Sequence, residues 1–232
     1  MILSHDWRFI FVKTEKTGST SVEMALAPHC GPLDVVTPIH ARDEAERFAA
    51  GVRARNFAIV ESTFRPEPDL DAQEARIRRE GPVVTHRGAF YNHMGAKEIR
   101  AAAGARIFDG YFKFAVERDP RERLISYYYW LGRDRQQGFR DFVAAFDAPT
   151  NWDRCTIGGK LALDRLIRHD RLAAGLREVT AELGIPWDGT LPRAKSGYRP
   201  KEATVAAMFT QDIEMLARER MAKDFELYAM AT

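Results

Sequence analysis

The sequence predicts an α/β domain whose central, mainly parallel sheet is covered by helices on both faces. Two observations carry that expectation. Short apolar runs of strand type alternate with helical stretches along the chain, and a strand-loop-helix order occurs twice, around residues 9–27 and 111–131. A length of 232 residues accommodates one such domain, residues 1–232, around one core.

Phe9 to Val12 (FIFV) is an apolar run of strand length. The polar, glycine-containing stretch Lys13 to Ser21 follows at once, and SVEMALA then has helical character. Asn56 to Glu61 (NFAIVE) and Pro82 to His86 (PVVTH) are further strand candidates, separated by a proline-rich turn and an Arg-rich solvated helix, DAQEARIRRE. Met94 to Ala103 spaces its apolar residues as a helix does. Tyr111 to Val116 (YFKFAV) reads as a buried strand, after which Asp119 supplies an N-cap and Pro120 a first-turn proline for RERLISYYYWL. The aromatic run Tyr127 to Trp130 in that helix reads as core. Leu161 to Arg168 fits a strand or a helix. Arg171 to Leu183 is periodic and stops at Gly184, with Pro186 beyond. A polar loop, Leu191 to Pro200, leads to one amphipathic helix from about Thr210 to Tyr228.

Composition excludes several classes. Hydrophobic residues make up 45% and charged residues 29%, unlike a disordered or fibrous chain. Lys plus Arg number 35 against 33 Asp plus Glu, a net charge of +2, so no nucleic-acid partner is expected and any anion site is local. Two cysteines, Cys30 and Cys155, make no disulfide framework and lack zinc spacing, which suits buried thiols in a reducing compartment. Met1 to Arg8 lacks the pattern of a signal peptide, and no segment approaches the ~18 apolar residues of a membrane span. The expectation is a soluble, cytoplasmic protein without stable membrane insertion.

Two segments carry chemistry. Lys13 to Ser21 (KTEKTGSTS) lies between a strand and a helix, where unpaired backbone N–H groups and the helix dipole favour an anion. Thr17, Ser19, Thr20 and Ser21 add hydroxyls around Gly18, and Lys16 adds a full charge. The segment is not a Walker A sequence; its other reading is a hydroxyl-rich N-cap turn. In the second segment, Arg118 ends a strand and Ser126 lies on the helix that follows, so both can face one anion if the two strands are neighbours. Their other reading is an ion pair and a surface hydroxyl.

Together the segments resemble the sulfotransferases that use 3′-phosphoadenosine 5′-phosphosulfate (PAPS). KTEKTGSTS is similar to the family's 5′-phosphosulfate loop, which in carbohydrate-type members runs Pro-Lys-Thr-Gly/Ala-x-Thr-Ser. VERDPRERLISYYY is similar to its 3′-phosphate motif, in which Arg-(Asn/Asp)-Pro opens a helix bearing a Ser eight residues after the Arg, the spacing of Arg118 and Ser126. DRLIRHDRLAAGLREVTAELGIPWDGTLPRAKSGYR is similar to the later strand, helix, Leu-Gly-Ile turn and Leu-Pro loop. The resemblance spans most of the chain in order and points to the soluble bacterial branch. Glu15 departs from it, standing where the family has proline, with Lys13 placed to neutralise it; Asp170 stands where Glu is common.

The resemblance implies a P-loop-like three-layer α/β fold and transfer of a sulfuryl group from PAPS to an acceptor hydroxyl, leaving adenosine 3′,5′-bisphosphate, with no metal. Lys16 then serves the bridging oxygen, Thr17, Gly18, Ser19, Thr20 and Ser21 hold the 5′ side, and Arg118 and Ser126 hold the 3′-phosphate. Lys195, Ser196, Tyr198 and Arg199 form a basic polar loop where the family closes over the nucleotide; their other reading is a surface loop with two cations. His93, in FYNHMGAKEIR, is the first choice of base, by its match to a family (N/K)-H-x-x-A-(K/R)-E-I segment; His86 is the second, or an acceptor ligand. The remaining histidines, His5, His29, His40 and His169, have no comparable placement, and none of the six has zinc spacing. A carbohydrate or other small molecule is the expected acceptor; the sequence specifies neither its identity nor the oligomeric state. Two other classes stay open: a magnesium-dependent, kinase-like enzyme using Glu15, and a non-catalytic polyanion-binding module using the Arg-rich segments 76–79, 118–123 and 133–140.

Overall fold

The computed structural model describes residues 1–57, 90–192 and 199–232. The strand expected at Pro82 to His86, the helix expected at residues 71–80 and most of the strand expected at Asn56 to Glu61 lie outside them. So do His86, Lys195, Ser196 and Tyr198.

The first part of the chain forms β1 (Ile2–Ser4), β2 (Phe9–Phe11), α1 (Ser19–Leu26), β3 (Val35–Val36) and α2 (Ala41–Ala49). The middle forms α3 (Ala96–Ala103), α4 (Ala105–Gly110), β4 (Phe112–Glu117), α5 (Pro120–Trp130), α6 (Phe139–Ala144) and α7 (Asn151–Cys155). The last part forms β5 (Thr156–Ile157), β6 (Lys160–Leu161), β7 (Arg165–Arg168), α8 (Leu172–Leu183), α9 (Val205–Met208), α10 (Gln211–Arg220) and α11 (Ala222–Ala229).

Five strands make one sheet in the order β3-β1-β2-β4-β7, and β5 and β6 form a separate hairpin. The pairs β2–β4 and β4–β7 are parallel, whereas β1 runs antiparallel to both β2 and β3. The sheet is therefore mixed, which corrects the mainly parallel expectation. The cause is local. Only four residues separate β1 from β2, enough for a hairpin and too few for the crossover a parallel pair needs.

Strand alternation divides the core between the two faces. Phe9, Phe11, Phe114, Val116 and Ile167 point to one face, packed with Val22 and Leu26 of α1 and Leu172, Leu176 and Val179 of α8. Ile10, Val12, Ala115 and Leu166 point to the other, with Ala96 and Ile99 of α3, Trp152 and Cys155 of α7 and Leu227 of α11. Helices thus flank the sheet on both faces. A third cluster joins Leu124, Tyr127 and Tyr128 of α5 to Phe142 and Val143 of α6 and to Ile213 and Ala217 of α10. Tyr127 and Tyr128 are core as expected; Trp130 is not, being 43% exposed.

Helix ends follow their caps. Asp119 accepts from the Arg121 N–H and Pro120 opens α5. Gly184 ends α8 at φ 74°. The ambiguous stretch Leu161 to Arg168 resolves as strand at β7. The single helix expected from Thr210 to Tyr228 is broken at Met221 (φ −122°, ψ 28°), which separates α10 from α11. Among the described residues no helix is long and apolar enough to cross a membrane.

Gly175 lets α8 lie against β7. A Cβ there would stand 2.5 Å from Cγ2 of Ile167, a residue that is 1% exposed. Gly175→Ala is expected to destabilise the protein by about 1 to 3 kcal/mol, reduced by the roughly 1 kcal/mol of helix propensity that alanine gains. Urea unfolding measures this, and a variant as stable as the parent would show that α8 is not seated on Ile167.

Candidate active site at the carboxyl ends of three parallel strands

β2, β4 and β7 lie side by side and run in the same direction, so their carboxyl ends deliver three segments to one edge of the sheet. β2 delivers the turn 13–18, β4 delivers Arg118, and β7 delivers His169.

The turn is built from its own hydroxyls. The Thr14 hydroxyl donates to the Val116 carbonyl of β4 and lies 2.8 Å from the Thr17 hydroxyl. Ser19 Oγ donates to the Thr14 carbonyl at 2.6 Å. Lys16 and Gly18 both have positive φ, 60° and 75°. For a lysine that conformation costs about 1 to 3 kcal/mol and persists only where surrounding contacts impose it. Gly18 needs its missing side chain as well, because a Cβ would stand 3.2 Å from Leu172 and 3.3 Å from the His169 ring. From Gly18 the chain enters α1, with Ser19, Thr20 and Ser21 in the first turn. Lys16 Nζ lies over the exposed Trp130 ring, 4.3 Å from its centroid.

Arg118 Nη1 lies 3.5 Å from the Lys16 carbonyl oxygen. The early lysine turn and the mid-chain arginine therefore meet, because β2 and β4 are parallel neighbours. Arg118 Nη2 donates to Glu122 at 2.8 Å, and Arg199 pairs with the same carboxylate, so one acid holds two guanidinium groups together. Arg118 Nε is buried and has no hydrogen-bond partner among the described residues. Ser126 is half-buried two turns along α5. His169 packs at Gly18, and burial, with the Arg118 charge second, lowers its pKa to about 4.

Glu15 departs from expectation. Lys13 does not neutralise it: Lys13 is fully buried and pairs with Glu23 of α1. Burial pushes the Glu23 carboxyl up, but Lys13, the Met1 amine and Arg47 outweigh it and hold the group at about 2. Glu15 instead pairs with Arg154 of α7 and accepts from the Tyr127 hydroxyl. The buried Asn151 side chain clamps its peptide, accepting from Glu15 N–H at 2.9 Å and donating to Glu15 C=O at 3.3 Å. Asn151 also donates to Glu117 at 2.8 Å, while Arg123 bridges Glu117 at 3.2 Å and Asp224 of α11 at 3.1 Å. Burial raises the Glu117 pKa to about 7, opposed by Arg123.

His93 stands beside the turn. Its Nδ1 lies 3.1 Å from the Lys13 carbonyl oxygen, which can only accept, so Nδ1 carries the proton and Nε2 keeps its lone pair. Its φ is 61°. Burial, reinforced by Lys13, lowers its pKa to about 2 and keeps the imidazole neutral. Sequence reasoning missed His169, Glu122, Asn151 and Arg154. The four-residue spacing of Arg118 and Glu122 across the start of α5 was a usable signal, and so was the place of His169 just after a strand; Asn151 and Arg154 had none.

No family model matches the chain, and no solved structure matches it. An uncharacterized protein of Archaeoglobus fulgidus is similar: 29% identical over 102 residues, which are 40% of this chain and 84% of that protein. Its name carries no activity.

The two depressed imidazoles set a pH dependence. Unfolded histidine takes up a proton below about 6.5, whereas folded His93 and His169 resist it until much lower pH. Their contribution to stability is complete above about pH 6.5 and is lost progressively as pH falls below it, the loss ceasing to grow only at the two lower values. Urea midpoints are expected to fall from pH 7 to pH 5, and His93→Gln to flatten that slope; an unchanged slope would place the His93 ring in water.

Proposed function

We propose that the protein is a PAPS-dependent sulfotransferase on a P-loop-like scaffold, acting on an acceptor hydroxyl, with a carbohydrate as the favoured acceptor class. The observation that carries this reading is the approach of Arg118 to the backbone of the Lys16 turn, two cationic residues delivered by adjacent parallel strands. The residues present suit a nucleotide with phosphates at both ends. On one side the buried Arg118 Nε lacks a partner among the described residues, and on the other stands a helix amino end with Lys16.

Bound there, PAPS would supply the activated sulfuryl group. Arg118, with Ser126 on the same helix, holds the 3′-phosphate, and Arg199 reaches the same place through Glu122. The N–H groups opening α1 hold the 5′ side. Lys16, released from Trp130, places its charge on the oxygen that leaves. His93 takes the acceptor proton at Nε2 while its Nδ1–H stays on the Lys13 carbonyl. An apo pKa of about 2 makes a weak base; a dianionic ligand beside it favours the imidazolium and raises that value. The magnesium-dependent alternative loses support because both Glu15 oxygens are engaged, one by Arg154 and one by Tyr127.

Calorimetry should find adenosine 3′,5′-bisphosphate binding about 10- to 100-fold more tightly than AMP, the value of about 1.5 to 3 kcal/mol for charge-assisted contacts. Arg118→Ala should erase that difference, and equal affinities in the parent protein would remove the assigned donor. With a sulfated product as readout, Lys16→Ala should lose turnover while retaining nucleotide affinity. His93→Ala should cost about 100- to 10,000-fold. Turnover preserved in either variant would strike that residue from the mechanism.

A further inference from the structure

Two residues in the site, Lys16 and His93, hold left-handed backbone conformations without being glycine, at φ 60° and 61°. Each needs restraint from outside. In the resembling loops proline precedes the lysine and fixes its own φ; Glu15 cannot do so, and its restraint comes from side chains.

One guanidinium reaches both places. Arg154 Nη2 pairs with the Glu15 carboxylate, next to Lys16, and Nη1 donates to the His93 carbonyl at 3.0 Å. The remaining contacts make the arrangement stiff. The second Glu15 oxygen takes the Tyr127 hydroxyl of α5, and Asn151, one turn before Arg154 on α7, brackets the Glu15 peptide. On the other side, Gly95 packs so closely on α7 that a Cβ would stand 3.3 Å from Arg154 Cα. The pair is only partly exposed, 16% for Arg154 and 24% for Glu15, so solvent screens it incompletely.

We propose that Arg154 and Glu15 are a positioning pair that fixes the spacing between the Lys16 turn and the His93 imidazole. Two separate nitrogens at a fixed angle are required, one for each partner. A lysine keeps the charge but offers a single nitrogen, so it cannot span both. Lys16 and His93 as the reacting pair rest on the sulfotransferase proposal, whereas the bridge between their segments does not.

Nitrogen-15 NMR of the histidine rings in the full chain tests the bridge directly. The charged groups acting on His93 are Lys13, the Met1 amine, Glu23 and Arg154. In the parent protein His93 should show one tautomer, protonated at Nδ1, that does not titrate between about pH 8 and pH 5. In Arg154→Lys, which keeps the charge, His93 should populate both tautomers and titrate closer to about 6.5. Glu15→Gln, which leaves Arg154 without its ionic partner, should shift the ring in the same direction if Arg154→Lys fails to fold. An unchanged ring in the folded variants would overturn the bridge. So would full rescue by lysine, which would reduce Arg154 to a point charge. With a sulfuryl acceptor in hand, Arg154→Lys should lower kcat about 100-fold, the effect of roughly 1 Å of misplacement, with affinity for adenosine 3′,5′-bisphosphate unchanged. A parent protein that transfers no sulfuryl group would sink the proposed function, and the imidazole readings would still decide the bridge.

Discussion

The register of β2 against β4 fixes everything at the candidate site. Phe9 faces Phe112 and Phe11 faces Phe114, and the pairing continues past the strand through the Val12 N–H to the Phe114 carbonyl and the Thr14 hydroxyl to the Val116 carbonyl. A slip of one residue would turn Phe9 and Phe11 to the opposite face of the sheet and displace Arg118 by about 3.3 Å relative to the lysine turn. The two apolar faces therefore hold the geometry of the candidate site as well as the fold.

Beneath that edge lies an unusual amount of buried charge. Lys13 with Glu23, and Arg123 with Glu117 and Asp224, sit in the interior rather than at the rim. Such pairs contribute little net stability relative to a well-packed apolar core, yet removing one partner costs about 3 to 5 kcal/mol because it leaves a buried charge alone. Their effect here is geometric. Lys13 with Glu23 ties the turn to α1, and the triad ties β4 and α5 to α11. The exposed pair of Arg100 with Asp109 joins only the consecutive helices α3 and α4.

Much of the frame was legible in the sequence because it rests on local signals. FIFV and YFKFAV are apolar runs of strand length, Asp119-Pro120 is a cap, and Gly184 is a stop. What escaped was set by distant partners. Ile2–Ser4 and Val35–Val36 are too short for periodicity to register and become strands only by pairing with each other and with β2. The antiparallel direction of β1 lies in the brevity of its connection, a feature of spacing rather than of composition. The convergence of Lys16 and Arg118 could be anticipated because each follows a strand. The clamp around Glu15 could not, since Asn151 and Arg154 lie far along the chain on a five-residue helix with no distinguishing pattern. Lys13 was assigned to the wrong acid for the same reason: neighbours in sequence compete with neighbours in space, and Glu23, buried on α1, wins.

The break at Met221 turns α11 so that Asp224 accepts from the Asn151 N–H at 2.8 Å, capping the helix that clamps the early turn. A ribosome delivers the lysine turn first and this cap some two hundred residues later. A nascent polypeptide therefore carries the lysine turn long before the carboxylate that braces α7 exists, and the clamp on that turn can close only after Asp224 has been added to the chain.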